Sequence, residues 1–150
     1  MKKTLYAIII IIAATLSSCT RNNGDIGDLF GTWRLESLKV GDVEQPLQTG
    51  DVRVYTWAFQ SHIIYIQTIL DHDDYKRARG TWTMDEENLI LDFGHTDIDG
   101  SNNYTPPEAL HLNADGKTYL RIVEYTSDRL HLIQVLDGAP PYEYYLKKAY

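Results

Sequence analysis

The chain has 150 residues, a single cysteine, and 14 basic against 21 acidic side chains. One cysteine excludes a disulfide framework and a thiolate metal site, so stability has to come from a packed core, and a chain of this length makes one domain burying roughly two-thirds of its unfolded surface. The formal charge of −7 argues against nucleic acid as a partner and against electrostatic adhesion to anionic lipid.

Lys2 and Lys3 precede an apolar run from Leu5 to Leu16, and two small serines lead into Cys19, which is the layout of a secretory signal. About a dozen apolar residues fall short of the ~20 that cross hydrocarbon, which disfavours an uncleaved transmembrane anchor. Leu16-Ser17-Ser18-Cys19 resembles the lipobox of a bacterial lipoprotein signal, and that resemblance implies cleavage before Cys19 and acyl chains on the new terminus. Residues 1–18 are then a removed signal peptide, residues 19–28 an acylated polar tether, and residues 29–150 the folded domain. The leader takes two lysines and no acidic residue with it, leaving 12 basic against 21 acidic side chains and a charge of −9. Membrane attachment would rest on the acyl groups, of which two or more, at ~0.8 kcal/mol per buried CH₂, hold firmly. Thr20 is not the aspartate that keeps some lipoproteins at the inner membrane, so the resemblance points to the outer membrane, on its periplasmic or its outer face.

From residue 29 onward the pattern has period two, with β-branched and aromatic residues between turn signals, as half-buried strands do. Eight runs are expected. Residues 29–40 put Trp33 and Leu35 opposite Arg34 and Glu36. Residues 52–59 put Tyr55, Trp57 and Phe59 on one face. Residues 63–70 are apolar on both faces, which predicts a deeply covered strand or one crossing the core. Residues 75–84 alternate, with Ala78, Gly80, Trp82 and Met84 against Arg77, Arg79, Thr81 and Thr83. A run bearing Leu89, Leu91 and Phe93 follows, and residues 118–125, 129–136 and 142–147 complete the set. Hairpin-length links make neighbouring strands antiparallel.

One connection breaks this rhythm. Residues 94–117 form a long polar segment, and loops of that length in a compact domain are usually functional. Residues 104–112 carry enough apolar side chains to pack back as a partly ordered lid, with a helical turn at Pro107-Glu108-Ala109-Leu110. Short-turned antiparallel strands have two main solutions, a sandwich or a closed up-and-down barrel.

Gly31-Thr32-Trp33 at the start of the first strand looks like the G-x-W signature of lipocalins and the wider calycin group. Together with Gly80-Thr81-Trp82 in a central strand and Leu146-Lys147-Lys148 at the end, it makes about 120 residues resemble the lipocalin-like domain lipoproteins of Bacteroidota. The resemblance implies an all-β fold, an eight-stranded antiparallel up-and-down barrel. It further implies that Trp33, next to Gly31, closes one end and that Lys147 or Lys148 packs across its ring by a cation–π contact. No clear T-D-Y element is present, and no helix follows the last strand.

Six rings, Tyr55, Trp57, Tyr65, Trp82, Tyr125 and Tyr144, are candidates for lining a ligand cavity, because small-molecule pockets are aromatic with a few polar handles. The same rings bury 150–250 Å² each and would equally fill a small barrel solid. Asp97, Asp99, Ser101 and Glu108 approach a calcium-loop spacing, but glycine and prolines fall at the wrong places and a solvated loop is expected. The five histidines, His62, His72, His95, His111 and His131, form no ligand pair, so no metal or other cofactor is expected; His95 with Asp92 and Asp97 is the nearest to a trio. A G-x-S-x-G elbow and a phosphate loop are both absent, which leaves no catalytic residue to name. The chain is expected to be a non-catalytic, membrane-anchored binder of a small hydrophobic or amphipathic molecule. The alternatives are an envelope interaction protein with a filled barrel, using Tyr145 and Tyr150 on its surface, and a glycan or lipid hydrolase.

Overall fold

A computed structural model describes residues 29–94 and 105–149. Cys19 with its leader and tether, His95, Asp97, Asp99, Ser101 and Tyr150 lie outside the described residues.

The strands are β1 (Gly31–Val40), β2 (Val43–Glu44), β3 (Val52–Gln60), β4 (Ile63–Leu70), β5 (Tyr75–Met84), β6 (Asn88–Asp92), β7 (Lys117–Tyr125), β8 (Arg129–Gln134) and β9 (Tyr142–Lys148). Each pairs antiparallel with the next in the wall, and β1 pairs with β9, so the sheet closes on itself. The two-residue β2 only folds back on β1, which leaves eight strands in the wall, as expected. Closure removes the exposed edges that an open sheet would offer for aggregation.

Period two places the core. Trp33 and Leu35, then Tyr55, Trp57 and Phe59, Ile64 and Ile66, Ala78 and Trp82, Leu89 and Leu91, Leu130 and Leu132, and Tyr144 and Leu146 all point inward and are buried. A bulge between Leu35 and Ser37 shifts the parity of β1, so that Leu38 also faces the core. β4 corrects an expectation, being neither deeply covered nor a crossing strand. It is a wall strand whose Ile64, Ile66, Thr68 and Leu70 face inward while Ile63, Tyr65, Gln67 and Ile69 are half-buried outside. Its outer face is shielded by long neighbours, such as the Arg77 guanidinium 5.0 Å from the Tyr65 ring. Met84, expected inside with Trp82, lies at the strand end and is exposed.

Gly80 shows why a central glycine precedes Trp82. A Cβ there would lie 2.7 Å from the Asp92 carbonyl oxygen and 2.8 Å from the Phe93 ring, so the absent side chain is the space that Phe93 occupies. The barrel has two unlike ends. One holds Leu29, Ala149 and the turns β3–β4, β5–β6 and β7–β8; the other holds the longer connections after β1, β4, β6 and β8.

Candidate functional site at the barrel mouth

At the end bearing Leu29 and Ala149, Gly31 has φ +112°, which suits glycine at the entry to β1. Trp33 is fully buried and donates its indole N–H to the Leu29 carbonyl at 2.8 Å. Lys148 lies 4.4 Å from the centre of the Trp33 ring and donates from Nζ to the Phe30 carbonyl. Burial lowers the Lys148 pKa. Its neighbour Lys147 is exposed and stands opposite Arg34 in the ladder, so of the two lysines Lys148 takes the place over the ring. Tyr125 packs here too, 6.3 Å from Trp33 between ring centres, at the far end from any opening.

The middle of the barrel is filled. Trp57 meets Tyr144 at 5.6 Å and Phe59 meets Trp82 edge-on at 5.4 Å, and all four rings are buried. Tyr144 donates its hydroxyl to the Leu110 carbonyl at 2.8 Å and lies 3.1 Å from the Gln134 amide oxygen. Burial drives the Tyr144 pKa far above the ordinary phenol range. The indole N–H groups of Trp57 and Trp82 meet no acceptor among the described residues.

Above this packed layer, at the other end, the wall of β3, β4 and β5 opens into a bowl of about 870 Å³ roofed on one side by residues 105–109. Its apolar surface comes from Val52, Ile66, Leu70, Ala78, Pro107 and Ala109, and its polar lining from Tyr55, Thr68, Thr105 and the lip residues Asp51, Asp74, Tyr75, Lys76, Arg77 and Glu108. Burial raises the Tyr55 pKa. The roof is the expected lid. Pro107 leads into a single 3-10 turn, Glu108–Leu110, whose Leu110 is buried in the core and whose carbonyl the Tyr144 hydroxyl holds. His111 leaves that turn in the left-handed region and stacks on Tyr142 at 4.5 Å.

Of the six candidate rings, Tyr55 alone lines the bowl. Trp57, Trp82 and Tyr144 are core, Tyr125 is at the opposite end, and Tyr65 points outward against Arg77. Tyr55 also borders a second concavity of about 520 Å³ on the flank. There β1 and β3 part after pairing residues 31–34 with 56–59, and residues 45–48 lie across the gap.

Sequence reasoning missed a polar cluster on the outer wall. Glu143 accepts from the Tyr145 hydroxyl at 2.7 Å and lies 3.1 Å from His131 Nε2, while the His131 and Tyr145 rings stack at 4.1 Å. The Tyr145 hydrogen bond, then His131, hold the Glu143 pKa below its ordinary value, and Tyr145 is pushed up to about 12 chiefly by the same bond. Tyr145 is therefore half-buried and tied down rather than presented as an exposed docking ring. Among the described residues no three His, Cys, Asp or Glu side chains converge as a metal site.

Two crystal structures share this architecture. A lipocalin-like protein from Bacteroides uniformis aligns with a TM-score of 0.58 over 81% of this chain and 99% of its own, at 14% identity. An uncharacterized protein from Bacteroides eggerthii aligns with a TM-score of 0.58 over 80% of this chain and 98% of its own, at 15% identity. No protein-family model and no curated protein matches the chain. The closed eight-stranded wall and these two likenesses identify the fold as that of a lipocalin-like barrel.

Proposed function

We propose that this chain is a membrane-anchored, non-catalytic binding protein that holds a small apolar or amphipathic molecule in the bowl at the barrel mouth. The observation that carries the reading is the bowl itself: about 870 Å³, apolar below and hydroxyl-bearing at Tyr55 and Thr68. That size matches small-molecule sites, which run to ~300–1,000 Å³. The lid adds support, because Tyr144 and Leu110 fix its base while residues 105–109 stand over the opening.

The anchor in this reading is an acylated Cys19 in the outer membrane. The tether would enter at Leu29, beside Trp33 and opposite the bowl. Ten residues, 19–28, reach at most about 35 Å, which in this reading keeps the closed end nearer the bilayer than the mouth. Cys19→Ser is expected to release the protein from membranes without changing ligand affinity.

Fluorescence titration with lipids, bile acids and small aromatics tests the binder reading, with Ala109→Trp as a variant that fills the opening. Saturable binding that Ala109→Trp abolishes supports it. No response to any ligand favours the second reading, an envelope interaction protein with a solid barrel, for which the filled layer of Trp57, Phe59, Trp82 and Tyr144 speaks. Recovery of a partner with the acylated protein from its own membrane would then be expected.

A further inference from the structure

Lys76 stands out among the charges around the bowl. On β5 it is two residues from buried Ala78 with no break in register, and it sits directly across from buried Thr68 on β4. Side chains two apart on a strand, and cross-strand partners, share a face. Lys76 therefore belongs to the inner face of the barrel, at the top of a wall whose lower positions are Ala78, Gly80 and Trp82. It lines the bowl, and among the described residues it makes no ion pair.

The carboxylates nearby are placed differently. Asp51 and Asp74 sit on turns at the lip, and the Asp74 carboxylate is engaged by the Tyr75 backbone N–H at 2.8 Å. Glu108 opens the lid turn and is exposed. Two cations thus line the bowl among three negative charges. Lys76 is exposed at the rim on the inward face above Ile66, Leu70 and Ala78, and the Arg77 guanidinium is turned to the outer wall over the Tyr65 and Tyr75 rings.

We propose that the ligand is an amphiphile with one negative charge, a carboxylate or sulfonate, seated with its head on Lys76 and its apolar body against Ile66, Leu70 and Ala78. This inference rests on the binder reading of the same bowl. Lysine suits it, because its apolar stem packs along the wall while the ammonium meets the head near water. The three carboxylates of the lip repel any anion in proportion to its charge, so a phosphate dianion is disfavoured relative to a monoanion.

The test compares four ten-carbon probes on the purified protein by isothermal titration calorimetry: decanoate, decanol, decyl phosphate and decyltrimethylammonium. Decanoate is expected to bind about tenfold tighter than decanol, the value of one charge-assisted hydrogen bond. Decyl phosphate should bind more weakly than decanoate. Lys76→Met should erase the preference for decanoate over decanol, and Lys76→Arg should keep it. Equal affinity for decanoate and decanol, a preference that survives Lys76→Met, or tightest binding of decyltrimethylammonium would overturn the inference while the binder reading stands. Failure of all four probes to bind would overturn both.

Discussion

At the closed end Trp33 is buried, with Leu29 receiving its N–H and Lys148 lying across its ring. At the mouth the same wall carries Val52, Thr68, Lys76 and Ala78 around an open bowl, and a short turn tethered through Leu110 covers part of it. One end uses large rings and main-chain acceptors in fixed contact; the other uses small apolar side chains and hydroxyls that leave volume. In the proposed binder the contrast separates two tasks of one continuous sheet, holding the barrel shut and keeping a site available. It also predicts that substitutions at the two ends will divide between stability and affinity.

The largest effect should follow Trp33→Ala. Removing a fully buried indole leaves a cavity, and such changes cost ~3–5 kcal/mol. Chemical denaturation should show that loss, while the fraction that remains folded binds ligand as before. An affinity change as large as the stability change would break the division between the ends. Gly80→Ala is next, because the new Cβ meets the Asp92 carbonyl and the Phe93 ring inside normal contact distance. Overpacking of this kind costs ~1–3 kcal/mol, and a shift in melting temperature reads it.

Much of this contrast is legible in the residues, and the missing parts have physical causes. Alternation of Tyr55, Trp57 and Phe59, or of Tyr144 and Leu146, is a local property and marks the inner face directly. Lys148 shares parity with those last two, so its turn toward Trp33 was readable, and only the adjacency of Lys147 left the choice open. β4 is apolar on both faces, and period two is silent there, which is why Tyr65 was expected inside. The bulge after Leu35 changes parity without any mark in composition. The bowl depends on closure bringing residues 105–109 over β3 to β5, and the cluster of His131, Glu143 and Tyr145 depends on the register of β8 with β9. Neither is a property of any single run.

Tyr144→Phe probes the link between the filled layer and the lid. The phenol is the donor to the buried Leu110 carbonyl, and its loss leaves that acceptor without its partner, at ~1–3 kcal/mol. Faster amide hydrogen exchange is expected for Leu110 and His111, which donate to Pro107 and Glu108 within the lid turn, with exchange in β1 at Trp33 unchanged. Equal acceleration at both places would mean that the ends open together.

The smallest effect lies in the turn between β5 and β6, at the closed end. The Asp85 carboxylate accepts from the Glu87 N–H at 2.9 Å and the Asn88 N–H at 2.7 Å, and these two bonds hold its pKa below the ordinary carboxylate value. A carboxyl with a depressed folded pKa contributes stability that is fully present above its unfolded pKa and fades as pH falls through the folded one. Acidification below about pH 4, the ordinary range for aspartate, should therefore loosen this turn. The Glu87 and Asn88 amide resonances should move together along a single titration curve whose midpoint lies below that of an unfolded aspartate. In Asp85→Ala the curve should vanish from those two amides. Persistence of the curve in that variant would assign the acid response to another carboxyl and remove the turn from the set of contacts that keep the closed end shut.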